Sequence, residues 1–360
     1  MKAETTLSRI RALAPEHYAA EWDNSRVQIR GARDEIQKLA VALDPAPALM
    51  QDCLAWGADL VLTHHPLYFK PQAPTTPGQH LDVLRQFLCA GAWLYAAHTT
   101  LDCRPEGPAF WLGRELGLKD CAILEPCQRF PAREVFFQAP SRFTEREARP
   151  LLEAPGVHAL SQSAAGEVRV VADEHAWPDV YEELKGIFAN KPIECYVRRL
   201  ETPAATVGFG QVGELPKAVS FEAFAKQLER ALFSVQQPCA LAASSQPNSL
   251  GSLGSSGLKG LSWSECGPTP ELVRRVAYTT GSGASLIPAA FAAGADVFIC
   301  GDVKHHAAME TPGLVLDVGH FILEEEMMRL FAKELQASLG REAEVRFFAG
   351  KSPFRYRALA

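Results

Sequence analysis

The sequence predicts an α/β protein in which helices alternate with mostly parallel strands. Residues 60–63 and 93–97 are short apolar runs with the length and composition of buried strands. Helical patterns of about ten residues separate such runs, as they do in βαβ units. The chain has 360 residues. Because a single hydrophobic core rarely grows beyond about 250–300 residues, we expect more than one domain.

The first part of the chain, residues 1–130, alternates helical and strand patterns. Turn-forming residues bound each apolar run, and the helical patterns repeat their apolar positions every three or four residues. The predicted helices are residues 7–13, 46–56, 81–90 and 108–116, and the predicted strands are residues 36–43, 60–63 and 93–97. We therefore predict an N-terminal α/β lobe.

Residues 131–205 follow the order βαββαβ, which is typical of a ferredoxin-like domain. The predicted strands are residues 135–138, 158–161, 168–172 and 193–200, and the predicted helices are residues 144–152 and 177–189. We interpret this segment as a domain inserted into the α/β core.

Residues 206–360 return to the α/β pattern and are predicted to form a C-terminal lobe that completes the core. The glycine-rich residues 208–213 predict a turn. Residues 243–268 predict a mobile loop, because few large apolar side chains are present to offset the entropy of ordering. The predicted helices are residues 221–232, 284–293 and 322–335, and the predicted strands are residues 273–278, 297–300 and 314–317.

Composition excludes several classes of protein. Hydrophobic residues make up 47% and charged residues 22%, as in ordinary globular proteins. The 36 basic residues are scattered among 42 acidic ones, which argues against nucleic acid as the primary ligand. No secretory signal and no membrane-spanning run is evident, so we expect a cytoplasmic protein. Nine cysteines without a Cys-x-x-Cys pair predict reduced thiols.

Three clusters of histidine and carboxylate residues follow predicted strands, the position at which open α/β sheets place ligands. The clusters are His64 with His65, His98 with Asp102, and His320 with Glu324. The last pair is spaced four residues apart on a predicted helix, so both side chains project from one face. Imidazole and carboxylate groups are common ligands of divalent cations. The three clusters together therefore predict a metal site.

Each cluster taken alone also fits an ordinary structural role. His64 and His65 occupy a loop position, where histidines are common. Asp102 has the character of an N-cap ahead of the helix predicted at residues 108–116. His320 and Glu324 fit a solvated helical face. The recurrence of such clusters after three strands is what favours the metal interpretation.

Two further motifs also follow strands. Residues 301–306, Gly-Asp-Val-Lys-His-His, offer His305 and His306 as acid or base groups, or as groups that hydrogen-bond the metal ligands. Residues 281–283, Gly-Ser-Gly, indicate either an anion site at a helix N-terminus or a tight turn.

These motifs resemble the family of GTP cyclohydrolase 1 type 2 homologues, the Nif-three-like dinuclear metal centre proteins. The resemblance extends over almost the whole chain. It rests on Trp22-Asp23-Asn24, Thr63-His64-His65-Pro66-Leu67, Ala97-His98-Thr99 with Leu101-Asp102, Gly281-Ser282-Gly283, residues 301–306, and Asp317-Val318-Gly319-His320 with Glu324.

The resemblance implies a Nif-three-like core with an inserted domain similar to a PII or CutA fold, and a toroidal homohexamer. It also implies two divalent metal ions per chain, whether zinc, iron, manganese, nickel or magnesium. The ligands that it implies are His64, His65, His98, Asp102, His320 and Glu324.

The function implied by the resemblance is a metal-dependent hydrolase that opens the cyclic amidine of a purine nucleotide. Two alternatives stay open. A two-metal centre suits hydrolysis of a phosphoester or of another cyclic amide equally well. The PII- or CutA-like segment instead favours a metal-handling or regulatory protein that stores, delivers or senses metal without turnover.

Overall fold

The computed structural model describes residues 1–70, 73–154, 156–189, 191–236 and 262–354. The chain forms two compact units. The core unit comprises Met1–Glu125 and Gly208–Ala360, and the second unit comprises Pro126–Val207. The cysteines in the described ranges form no disulfide with one another. None of the helices described is both long enough and apolar enough to cross a membrane.

The secondary structure alternates between helices and strands along the core unit. In chain order the α-helices are α1 (Ala3–Leu13), α2 (Pro47–Ala55), α3 (Gln79–Ala90), α4 (Thr99–Asp102), α5 (Trp111–Leu116), α6 (Glu145–Glu153), α7 (Trp177–Ile187), α8 (Phe221–Gln236), α9 (Ile287–Ala292), α10 (His305–Met309) and α11 (His320–Leu339). Short 3₁₀ helices occupy Glu16–Tyr18, Pro108–Phe110 and Ala284–Leu286. The strands are β1 (Val27–Ile29), β2 (Lys38–Ala42), β3 (Leu60–Thr63), β4 (Trp93–Ala96), β5 (Lys119–Gln138), β6 (Val157–Gln162), β7 (Glu167–Asp173), β8 (Tyr196–Ser220), β9 (Ser264–Cys266), β10 (Leu272–Ser282), β11 (Val297–Gly301), β12 (Leu314–Asp317) and β13 (Glu344–Phe347).

The first sheet of the core unit has the strand order β1-β4-β3-β2-β13. Strands β4, β3, β2 and β13 are parallel, and β1 pairs with β4 in the antiparallel direction. Every residue of β3 and β4 is buried, which is why their sequences read as continuous apolar runs. Strand β13 instead alternates exposed and half-buried side chains at the edge, and its sequence alone did not predict a strand.

The second sheet contributes β8, β10, β11, β12 and β9, in that order, to the core unit. Strands β10, β11 and β12 are parallel, whereas β8 and β9 pair at the two sides in the antiparallel direction. The α/β class predicted from the sequence is therefore confirmed, with parallel strands at the centre and antiparallel strands beside them. Side chains from both sheets share one hydrophobic cluster in the core unit.

Residues 208–213 lie within β8, so the predicted glycine-rich turn is wrong. A side chain at Gly208 would overlap the backbone carbonyl of Glu125, and one at Gly213 would crowd the carbonyl of Lys119. Both carbonyls belong to β5, the neighbour of β8 in the sheet. The glycines at these positions permit close approach of two strands and do not reverse the chain.

The predicted mobile loop at residues 243–268 divides into two parts. Residues 243–261 lie outside the described residues. Residues 264–266 form β9, which pairs with β12 through Cys266 opposite Val315, so this part of the loop prediction is wrong. Antiparallel pairing with a buried strand supplies the hydrogen bonds that order this short polar segment.

The second unit contains the elements β5, α6, β6, β7, α7 and β8 in chain order. Strand β7 pairs with β5 on one side and with β6 on the other, both in the antiparallel direction. Phe137, Leu151, Val168 and Leu184 belong to a hydrophobic cluster of this unit. Helix α6 begins with a capping box, in which Thr144 and Glu147 satisfy each other's backbone N–H groups.

Helix α11 positions the C-terminal part of the candidate site. Five of its buried residues recur every four positions and form an apolar stripe: Leu323, Met327, Phe331, Leu335 and Leu339. The helix packs against β2 and β13 of the first sheet and against β10 and β11 of the second. Because α11 touches both sheets, its first turn lies beside the carboxyl ends of their parallel strands.

Candidate metal centre

The three predicted clusters converge at the first turn of α11. His64 and His65 directly follow β3, His98 follows the neighbouring strand β4, and His320 is the first residue of α11. The ring centroids of His64 and His98 are 4.9 Å apart, and those of His65 and His320 are 5.5 Å apart. The geometry thus unites residues that are more than 200 positions apart in the sequence.

Glu324 is the carboxylate around which the imidazoles gather. One of its oxygens lies 2.7 Å from Nε2 of His320 and 3.2 Å from Nε2 of His65. The other lies 3.6 Å from Nε2 of His64. Because α11 places His320 and Glu324 one turn apart, the side chains meet on one face, as their spacing predicted.

Asp102 approaches the cluster from α4. Its Oδ1 lies 3.7 Å from Nε2 of His64 and accepts a hydrogen bond of 3.4 Å from the Thr280 hydroxyl. The N-cap position before the next helix is held by Gly107, so the alternative capping role for Asp102 is wrong.

Ligand atoms form two groups among the described residues. One group contains His64, His65 and His98, and the other contains His65, His320 and Glu324. Within each group the ligand atoms lie within 4.8 Å of one another, and His65 belongs to both. Nitrogen and carboxylate oxygen at this spacing could hold divalent metal ions.

The Nδ1 atom of each histidine in the cluster is bonded to an oxygen outside the predicted ligand set. The pairs are His64 with the Ala97 carbonyl at 2.9 Å, His65 with Asp44 at 2.7 Å, His98 with Asp23 at 2.9 Å, and His320 with Asp302 at 2.7 Å. Each oxygen accepts a hydrogen bond from Nδ1, so Nε2 points into the site and can bind a cation once it is deprotonated. The four imidazoles therefore share an arrangement in which Nε2 is the nitrogen available to a cation.

Asp23 accepts more hydrogen bonds than Asp44 or Asp302. It is buried, and it accepts hydrogen bonds from the Ser25 hydroxyl and from both the backbone N–H and the hydroxyl of Thr99, besides that from His98. Burial acts to raise its pKa, but the hydrogen bond and charge of His98, with the hydroxyl donors, lower the pKa below its usual value. Asp23 thus stays ionised and fixes the orientation of His98.

We expect Asp23→Asn to lower metal affinity by about 10–100-fold, because an amide has one accepting oxygen in place of two and His98 loses its fixed orientation. Competition with a chelator measures the affinity. The control is Asp52→Asn, which changes an exposed carboxylate on α2 and should leave affinity unchanged. An Asp23→Asn protein with the parent's metal affinity would show that this hydrogen bond does not orient a ligand.

The imidazoles and carboxylates of the cluster stabilise each other's charged forms. Burial disfavours protonation of His65 and His320, but hydrogen bonds with Asp44, Asp302 and Glu324 outweigh it and raise the pKa of His65 to about 10 and that of His320 to about 9. Burial also opposes ionisation of Glu324, yet the surrounding imidazoles hold its pKa well below the usual range. Without metal, protons on the imidazoles therefore balance the buried carboxylate.

The motif at residues 301–306 divides between the site and the surface. Asp302 accepts the hydrogen bond from His320. His305 and His306 are exposed on α10, with ring centroids 5.5 Å apart, and neither is among the lining residues of the two cavities that include His320. Their acid-base role stays a prediction.

An open cavity of 510 Å³ leads to the cluster from one side. Its lining combines predicted ligands with aromatic and hydroxyl side chains. The lining residues are Trp22, His65, Phe69, His98, Thr99, Asp102, Glu125, Phe209, Thr279, Thr280, Ser282, Ser285, Leu286, His320 and Glu324. Such a mixture of apolar walls and a few convergent polar groups is typical of a small-molecule site.

The sequence patterns did not predict that Asp23, Asp44 or Thr280 contacts the candidate metal ligands. Asp44 comes two residues after β2, so its position at the end of a buried strand was a signal of the same kind as that of His64. Asp23 stands in the Trp-Asp-Asn motif, but no nearby strand indicates its contact with His98. Long-range packing is what places these carboxylates behind the imidazoles.

Residues 1–353 match the family described as Duf34/NIF3 (NGG1p interacting factor 3). The chain belongs to this family. A relative from Halalkalibacterium halodurans, named GTP cyclohydrolase 1 type 2 homolog, is 26% identical over 92% of this chain and 91% of its own length. A relative of the same name from Listeria innocua is 24% identical over 89% of this chain and 88% of its own length.

Solved structures show the same fold. The Bacillus cereus protein related to NIF3 superposes with a TM-score of 0.79 and 22% identity, covering 99% of each chain. The likeness extends over both units of the chain, so a Duf34/NIF3 fold with mixed α/β sheets is established.

Proposed function

We propose that the chain binds a pair of divalent metal ions and uses them to hydrolyse a cyclic amide or amidine of purine type. The observation that carries the proposal is Nε2 of His64. This nitrogen is fully buried and has no hydrogen-bond partner among the described residues. It faces oxygens of Asp102 and Glu324 at 3.7 and 3.6 Å. A buried lone pair between two carboxylates is costly unless a cation satisfies it.

The two ligand groups support a pair of ions. We assign His64, His65, His98, Asp102, His320 and Glu324 as the ligands. Bound divalent ions would polarise the attacked group and supply a water of lowered pKa. In the chain itself, hydroxyl groups line the cavity wall and would orient a polar substrate. Glu125, an exposed carboxylate of the same wall, joins His305 and His306 as a candidate for proton transfer.

The hydrolase proposal draws further support from the relatives named GTP cyclohydrolase 1 type 2 homolog. Its test is incubation of the metal-loaded protein with a panel of purine bases, nucleosides and nucleotides. Release of formate supports ring opening. Release of phosphate would instead support the alternative of phosphoester hydrolysis.

A metal-handling or regulatory role is the second candidate function. The second unit motivates it, because its elements follow the order βαββαβ expected of a PII- or CutA-like domain. Transfer of ions from the loaded protein to an apo-acceptor, without turnover of any substrate in the panel, would favour this function. The PII or CutA likeness, the identity of the metal and assembly as a homohexamer are proposals that rest on the sequence resemblance.

We expect metal binding to release protons near neutral pH. Without metal, His65 and His320 have pKa values raised to about 10 and about 9, so both imidazoles are protonated at pH 7. A cation binds only the deprotonated nitrogen. Affinity should therefore rise with pH, by about tenfold per unit for each proton released, until the pH passes those pKa values.

Calorimetry in buffers of different ionisation enthalpy counts the released protons. Metal affinity rises with pH, and does not fall, because the imidazoles are protonated in the free protein and deprotonated in the metal-bound protein. Metal affinity that is independent of pH between neutrality and pH 9 would contradict the assignment of these histidines.

A further inference from the structure

Two exposed aromatic side chains stand beside the candidate metal ligands. Trp22 is 60% exposed and Phe69 is 51% exposed, and both line the cavity that leads to the site. Their ring centroids are 6.1 Å apart, and they lie 5.7 and 5.6 Å from the ring of His98. Exposure of large apolar rings to water is unfavourable, so their grouping at one cavity indicates a binding surface.

The two rings are held in place by the loops that carry them. Asn24 donates a hydrogen bond of 2.8 Å to the backbone carbonyl of Tyr68, which ties the Trp22 loop to the Phe69 loop. Asp23, the neighbour of Trp22, is fixed by its hydrogen bonds to His98 and Thr99. The aromatic pair is therefore positioned by the same buried contacts that orient a metal ligand.

The rest of the cavity lining, apart from its carboxylates and histidines, is suited to an uncharged ring with polar edges. Phe209 and Leu286 add apolar surface, and four hydroxyl side chains offer donors and acceptors: Thr279, Thr280, Ser282 and Ser285. The lining residues found in the described ranges include no lysine and no arginine. Away from the metal ligands, this lining has no cationic side chain to hold a chain of phosphates.

We propose that Trp22 and Phe69 form a subsite for an uncharged planar heteroaromatic ring that contains a cyclic amide. The inference rests on the proposed function, because it places the ring over the metal ligands with its amide toward them. The aromatic faces bind the plane of the ring, and the hydroxyl groups bind its edge. The substrate class is therefore a nucleobase or nucleoside rather than a nucleoside triphosphate.

The test compares four probes by calorimetry: hypoxanthine, guanosine, GTP and the non-aromatic cyclic amide δ-valerolactam. Each is titrated into the metal-loaded full chain and into the chain stripped with a chelator. We expect hypoxanthine and guanosine to bind, δ-valerolactam to bind more weakly, and GTP to bind no tighter than guanosine. Trp22→Leu and Phe69→Leu should each weaken ring binding about tenfold, the usual scale of base–aromatic stacking.

The matched control is Tyr196→Leu, which removes a 74% exposed aromatic side chain from the second unit and should leave ring binding unchanged. Metal content should be the same in all three variants and the parent. Ring binding that persists in a chain without metal would support the subsite even if the hydrolase proposal fails.

Three results would overturn the inference. The first is absence of binding by both planar probes at millimolar concentration. The second is GTP binding far tighter than guanosine in both the parent and Trp22→Leu, which would show a site built for phosphates. The third is a change of oligomeric state in Trp22→Leu without a change in ring binding, which would show that the aromatic pair contacts another copy of the chain.

Discussion

Glu324→Gln removes most of the bound metal, with an expected loss of affinity of about 100-fold or more. The carboxylate lies 2.7 to 3.6 Å from Nε2 of three histidines and is held ionised by them. Glutamine has nearly the same shape but no charge. It therefore leaves closely spaced cations with less negative charge to offset their repulsion. Elemental analysis after dialysis measures the loss.

The control for this substitution lies on the same helix. Glu334 pairs with Arg104 at 2.6 Å and is partly exposed. Glu334→Gln should retain the metal and cost at most about 1 kcal/mol of stability, as surface ion pairs do. If Glu324→Gln and Glu334→Gln retain equal amounts of metal, Glu324 is not a ligand.

Gly281→Ala is expected to displace Glu324 and to lower metal affinity by more than about tenfold. Gly281 has a φ of +68°, and a methyl group at this position would overlap the Glu324 carboxylate and approach the His320 ring. Alanine thus faces two costs, about 1–2 kcal/mol for the left-handed backbone and about 1–3 kcal/mol for overpacking. The overlap is relieved most easily by moving the carboxylate.

Gly117→Ala is the matched control, because Gly117 has a φ of +69° and no atom within 4 Å of the added methyl group. It should show the backbone cost alone, as a lower free energy of unfolding with unchanged metal affinity. Thermal unfolding and chelator competition on both variants separate the two costs. Equal metal affinity in the two variants would contradict the close packing of Gly281 on Glu324.

Much of the fold was predictable because local composition agrees with burial. Strands β3 and β12 have the predicted bounds, and their sequences are continuous apolar runs. The edge strands β1, β9 and β13 were not predicted, since polar residues interrupt each short sequence and each strand pairs with a partner that is distant in sequence. The glycines of β8 misled the prediction because close strand packing and a turn select the same residue.

The convergence of the predicted ligands followed from one rule, that parallel strands place their carboxyl ends at one edge of a sheet. His64 and His98 obey it directly. The hydrogen bonds that orient the imidazoles could not be predicted in the same way, because Asp23 reaches His98 across 75 positions of the sequence. Such contacts depend on how loops pack and not on a local pattern.

We propose that the chain holds a pair of divalent ions at the two ligand groups that share His65. The most direct test is elemental analysis of the full chain purified without added metal, beside Glu324→Gln prepared in the same way. We expect two ions per chain in the parent and a large loss of metal in the variant. A parent that contains no divalent metal, and that binds none when several are supplied, would contradict this proposal.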